Sequence, residues 1–134
     1  MENIDVNNKI ELEFPLKTSS NILFNRLSTP SGLSEWFADD VDVDGDIFTF
    51  FWDDSESQAE LVSKKENKQI RYRWLENGEA NDDETYFEFS ITADEVTRGI
   101  ALHVIEVVSD PDDVEDTESL WNCQIAELIR VLGL

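Results

Sequence analysis

One cysteine, Cys123, in a chain of 134 residues leaves no partner for a disulfide within the chain. That fits a reducing compartment. There is also only one histidine, His103, so a Cys/His zinc site and a histidine-centred triad both lack material. Cations are scarce, with 10 Lys+Arg against 31 Asp+Glu and a formal net charge of -21. Repulsion on that scale favours solubility and turns the chain away from polyanions, which makes nucleic acid and anionic membrane surfaces poor partners. No apolar run approaches the roughly 20 residues that span a bilayer. The opening "MENIDVNNKI" has neither a basic nor an apolar leader region. The expectation is a soluble cytoplasmic protein. Gly-rich phosphate loops, paired metal-ligand spacings and nucleophile elbows are all missing, so no cofactor, metal or catalytic residue is nominated. A site made of carboxylates alone stays open, because the many acids offer many accidental pairs.

What is present is enough for one domain, 1–134. Hydrophobic residues are 40% of the chain, and a domain of this size buries roughly two-thirds of its unfolded surface without a staple. "KIELEFPL" alternates Ile10, Leu12 and Phe14 with Glu11 and Glu13, which predicts a half-buried strand. Ser19 or Ser20 then caps a helix carrying Leu23, Phe24 and Leu27. Pro30 blocks its continuation and suits the start of a second short helix, with Leu33, Trp36 and Phe37 at helical spacing. From Val41 the period is two. Strands run through "IFTFFW", through "SQAELVSKKENKQIRYRWL" with a turn near Glu66-Asn67, and through "TYFEFSITAD" and "RGIALHVIEVV". Glu76–Glu84 is a polar, turn-rich connection. Finally Leu120, Trp121, Gln124, Ile125, Leu128, Ile129 and Leu132 form one stripe of a long C-terminal helix, Asp116–Leu132, stopped by Gly133.

"ADDVDVDGDIFTFFW" has the look of a calcium loop, with Asp40, Asp42, Asp44 and Asp46 around Gly45. The twelfth position counted from Asp40 is Phe51, which cannot ligate. Val41 and Val43 favour a strand, and a strand rather than a helix follows. The reading is a hairpin turning at Asp44-Gly45 with aspartates on its wet side. A loose cation site of millimolar class stays open.

The order of elements predicts an α+β fold, in which an antiparallel sheet of about six to seven strands has helices segregated to one side. That order, with "LSTPSGLSEWFAD" (Leu27–Asp39), "QIRYRWL" (Gln69–Leu75), "TYFEFSITADEVTRGIALHV" (Thr85–Val104) and the terminal Trp121 helix, resembles the START-like, helix-grip superfamily. It looks most like the branch related to the activator of the heat-shock-protein ATPase. The resemblance implies a curved sheet gripping the C-terminal helix, with a cavity between them for a hydrophobic or amphipathic small molecule. It also implies two alternatives, a chaperone-type protein partner and, more weakly, a polyketide-cyclase-like enzyme. The acidic first hairpin and the acidic segment Asp110–Glu118 depart from the family pattern, so partner surfaces of its members are not transferred.

Period two places Phe48, Phe50, Trp52, Ile70, Tyr72, Trp74, Phe87, Phe89, Ile91, Ile100, Leu102 and Val104 on the face toward the helix. Most of these serve as plain core. The ligand-binding candidates are Phe50, Trp52, Tyr72, Trp74, Phe87, Phe89, Leu102, Trp121, Gln124, Ile125 and Leu128. Tyr72, Trp74, Trp121 and Gln124 supply the polar handles that a mostly apolar pocket needs. His103 is expected on the opposite face, and Cys123 half-buried beside the stripe. Arg71 and Arg73 are expected to pair across strands with Glu60 or Glu88. The acidic stretches Asp53–Glu60, Glu79–Glu84 and Asp110–Glu118 are solvated turns that could also meet a basic protein partner.

Overall fold

The computed structural model describes residues 8–80, 84–96 and 98–134. Eight antiparallel strands form one sheet: β1 (Lys9–Leu16), β2 (Asp40–Asp44), β3 (Ile47–Trp52), β4 (Ser55–Lys65), β5 (Gln69–Glu76), β6 (Glu79–Ala80), β7 (Tyr86–Asp94) and β8 (Gly99–Val107). The spatial order is β1-β8-β7-β5-β4-β3-β2, with β6 paired to β5 off this path. The helices are α1 (Ser20–Ser28), α2 (Pro30–Leu33) and α3 (Val114–Leu132). The α+β order and the single curved sheet are as expected from the alternation. The added strand is β6, a two-residue return after the Asn77-Gly78 turn, where both residues have positive φ (54° and 84°). It lies in the stretch read as a plain connection. Residues 81–83 of that stretch lie outside the described residues.

Local chemistry sets the boundaries. Ser19 caps α1 by accepting the Ile22 N–H, and Thr29 caps α2 by accepting the Gly32 N–H at 2.9 Å. Pro30 fills the first position of α2, where its missing N–H costs nothing. The second helix is shorter than its spacing predicts: it ends at Leu33, and Trp36 and Phe37 reach the core from a turn instead. Tertiary contacts hold that turn, with the Trp36 indole donating to the Arg26 carbonyl at 2.8 Å. The acidic hairpin closes one residue later than read. Asp44 pairs with Ile47, so the two-residue turn is Gly45-Asp46, and Gly45 takes φ 62°. The C-terminal helix begins earlier than read, after a 3-10 turn over Pro111–Asp113, and ends on left-handed Gly133.

Phe48, Phe50, Ile70, Tyr72, Phe87, Phe89, Ile91, Ile100, Leu102 and Val104 are all buried on the inner face, with Trp52 and Trp74 packed against them. Trp121, Ile125 and Leu128 bring α3 onto this face, and Leu23, Leu27, Leu33, Trp36 and Phe37 close one end. Two members of the expected order differ. Leu120 stands out from α3 with 57% of its surface exposed. Cys123 is exposed rather than half-buried, because it sits between core positions on the helix rather than on their stripe. The outermost strands, β1 and β2, carry exposed Glu11 and Glu13, and exposed Asp40, Asp42 and Asp44.

Candidate ligand site between sheet and helix

The eleven candidate residues are brought together on the inner face. Phe50, Tyr72, Phe87, Phe89, Leu102, Trp121, Ile125 and Leu128 are buried there, and Trp52, Trp74 and Gln124 are half-buried at its margins. Phe87 is the hub. Its ring lies 4.8 Å from Trp74, 4.9 Å from Tyr72, 5.6 Å from Phe89 and 6.0 Å from Trp121, centroid to centroid. These are contact distances for aromatic pairs. Phe37, not among the candidates, inserts from the turn after α2 and meets Phe50 at 5.0 Å, Phe87 at 5.3 Å and Trp121 at 5.7 Å. Side-chain rings thus occupy the space between helix and sheet at this level.

Each expected polar handle has a protein partner. The Tyr72 hydroxyl donates to the Leu27 carbonyl at 2.7 Å, which ties β5 to the end of α1. Burial pushes this phenol far above its ordinary pKa. The Gln124 amide and the Trp52 indole both donate to the Phe37 carbonyl, each at 3.0 Å. The remaining two handles converge on a residue that sequence reasoning missed. Trp74 donates to one oxygen of Glu106 at 2.8 Å, and Trp121 to the other at 2.7 Å. Glu106 continues the inward series Ile100, Leu102, Val104, and that same alternation is the signal that could have found it. Desolvation raises its pKa, and the two indole hydrogen bonds partly oppose the rise.

Two grooves run along α3. One, of about 390 Å³, lies where Leu120, Gln124 and Glu127 of α3 face Trp36, Phe37 and Trp52. It touches the candidate set at Trp52 and Gln124. The other, of about 460 Å³, runs between Lys9, Ile10 and Glu11 of β1 and Val114 and Glu118 of α3.

The remaining polar residues take structural places. His103 lies on the outer face, its Nε2 3.1 Å from the Thr92 hydroxyl. Arg71 pairs with Glu88 and Arg73 with Glu60, both at 2.7 Å, as the strand register predicts. The Arg71 guanidinium also stacks over Tyr86, 4.0 Å from its centroid. Asp40, Asp42 and Asp44 follow the strand, and no group of three or more His, Cys, Asp or Glu among the described residues is placed to hold a metal ion. Among those residues no helix is long and apolar enough to cross a membrane.

Comparison with known proteins bears on this geometry. No curated protein matches the sequence. Several solved structures do. A Bacteroides fragilis protein solved by NMR is 37% identical, with 94% of this chain and 91% of that one covered at a TM-score of 0.61. The Aha1 dimer from Colwellia psychrerythraea is 16% identical, covering 90% of this chain and 92% of that one at a TM-score of 0.77. CalU16 from Micromonospora echinospora is 10% identical, with 92% and 73% covered at a TM-score of 0.72. The last two are likenesses of fold. A model of the START-like superfamily domain matches residues 4–134, nearly the whole chain and the entire helix-on-sheet arrangement, and the chain belongs to that superfamily.

Proposed function

We propose that the protein is a non-enzymatic binder of a hydrophobic or amphipathic small molecule, taken up between the inner face of the sheet and α3. The observation that supports this most directly is the groove of about 390 Å³ at Trp36, Phe37, Trp52, Leu120 and Gln124. It has the size of a ligand pocket, an aromatic floor and a polar rim. Its floor is continuous with the Phe87 cluster through Phe37. Two side-chain bonds, from Gln124 to the Phe37 carbonyl and from Trp121 to Glu106, join this part of α3 to the aromatic bed. Native mass spectrometry of gently purified protein, with a denaturing run beside it, tests the reading. An added mass of a few hundred daltons that is lost on denaturation supports it. A clean apo mass, together with no change in tryptophan emission across a panel of amphiphiles, overturns it.

A second reading, a protein-interaction module, draws on Leu120, which is 57% exposed at the rim of the same groove. The formal charge of -21 selects a basic partner for such a surface. A partner retained at low salt, released at high salt and lost in Leu120→Ser favours this reading over the first.

A further inference from the structure

We infer that Glu106 is the anchor for a cationic head group, so that the molecule held between sheet and helix is an amphiphile bearing an amine. This rests on the small-molecule reading above and names the chemistry of its polar end. Glu106 is a carboxylate on an otherwise apolar, aromatic face, following Ile100, Leu102 and Val104. A carboxylate has about four lone-pair positions, and the two indoles use one on each oxygen. The remaining positions accept N–H donors. A neutral hydroxyl head would gain less there, and a carboxylate head would be repelled.

The way in from solvent carries the same sign. Ile10 is the cross-strand partner of Glu106, so the two side chains are neighbours on the inner face. Val114, Glu118 and Trp121 share one face of α3. The groove of about 460 Å³ lined by Ile10, Val114 and Glu118 therefore lies beside the Glu106–Trp121 pair, one cross-strand position from Glu106 and one helical turn from Trp121. Its rim holds Glu11 and Glu118, and Lys9, the one cation lining it among the described residues, is already paired with Glu11 at 3.3 Å. The protein's net charge of -21 draws cations toward this mouth and turns anions away. A carboxylate held partly out of water gains more from a cation than an exposed one does, which agrees with the upward displacement of the Glu106 pKa.

The test uses three probes of equal chain length: decylammonium, decanol and decanoate. Each is titrated by calorimetry into the full chain, into Glu106→Gln, and into Asp46→Asn, which removes one charge from an exposed turn instead. Decylammonium should bind wild type and Asp46→Asn more tightly than decanol by about tenfold or more, and Glu106→Gln should lose most of that margin. A margin unchanged in Glu106→Gln overturns the inference while leaving the small-molecule reading intact, provided decanol binds. Failure of all three probes to bind overturns both. If Glu106→Gln does not fold, Trp74→Phe decides. It frees one carboxylate oxygen, so the decylammonium margin should widen, and a margin that stays equal or narrows counts against the anchor.

Discussion

Trp74 on β5 and Trp121 on α3 are joined through one side chain, each indole nitrogen donating to a separate oxygen of Glu106 at 2.8 and 2.7 Å. The bridge ties the C-terminal helix to a central strand by way of a third element, β8. Because the bridging group is an acid held partly out of water, the tie depends on pH.

Burial raises the folded-state pKa of Glu106 above its ordinary value. A carboxylate raised in this way takes up a proton more readily folded than unfolded. Its contribution to stability is therefore fully present below the ordinary value and declines as pH rises through the folded one. Urea unfolding of wild type and Glu106→Gln should show wild type gaining on the variant as pH is lowered from neutral toward the ordinary carboxylate range. A gap that stays constant over that interval contradicts the burial argument.

Tyr72 makes the corresponding prediction on the alkaline side. Its hydroxyl is buried and donates to the Leu27 carbonyl. Tyr72→Phe leaves that carbonyl one donor short and should cost about 1–2 kcal/mol in chemical unfolding at neutral pH. Burial also pushes the phenol pKa far above its ordinary value of 10.0. The wild-type advantage should therefore hold below that value and shrink as pH climbs beyond it. An advantage that grows with alkalinity would contradict this.

Gly32 and Gly45 should respond differently to alanine. A Cβ on Gly32 would lie 2.2 Å from the Asn25 carbonyl oxygen and 2.8 Å from the Arg26 Cα, both backbone atoms. The α1–α2 corner would have to open, so Gly32→Ala should lose roughly 2–3 kcal/mol. Gly45 has nothing within 4 Å but sits at φ +62°, and Gly45→Ala should lose only about 1 kcal/mol. Paired thermal melts check the ordering, and equal losses would refute it.

The charge excess acts on the whole fold. With 31 acids against 10 bases, self-repulsion opposes compaction. Sodium chloride at about 0.5 M, where screening reaches only a few ångströms, should raise the melting temperature by several degrees. A melting temperature that falls with salt would mean that ion pairs such as Arg71–Glu88 and Arg73–Glu60 outweigh the repulsion.

Much of the architecture was legible because period two and period 3.6 are properties of the chain alone. The inward set from Phe48 to Val104 and the Trp121–Ile125–Leu128 stripe could be read residue by residue. Glu106 was not, because in "VIEVV" its outward neighbours Ile105 and Val107 are apolar, so polarity there does not mark which face is the inner one although the alternation itself continues. Phe37 was seen, but as part of a helix. Its real place depends on a turn held by Leu33 backbone bonds and by Trp36 reaching the Arg26 carbonyl, contacts made only in the folded chain. The expected polar handles each bond to the protein, and their partners lie on other elements. Leu27, Phe37 and Glu106 have no spacing relation to Tyr72, Gln124 and Trp74. Gly45-Asp46, rather than Asp44-Gly45, forms the turn: Val41 pairs with Phe50 and Asp44 with Ile47, and Gly45 takes the left-handed φ of 62°.

The aspartates of β2 and the glutamates of β1 lie on the two strands that, among the described residues, have no outer neighbour. Such strands offer free backbone donors and acceptors to any second chain that aligns with them. Here the approaching copy would bring its own carboxylates against Asp40, Asp42 and Asp44, or against Glu11 and Glu13, and be repelled. The hairpin that mimics a cation loop thus works as a fender, keeping neighbouring molecules from stitching their sheets together.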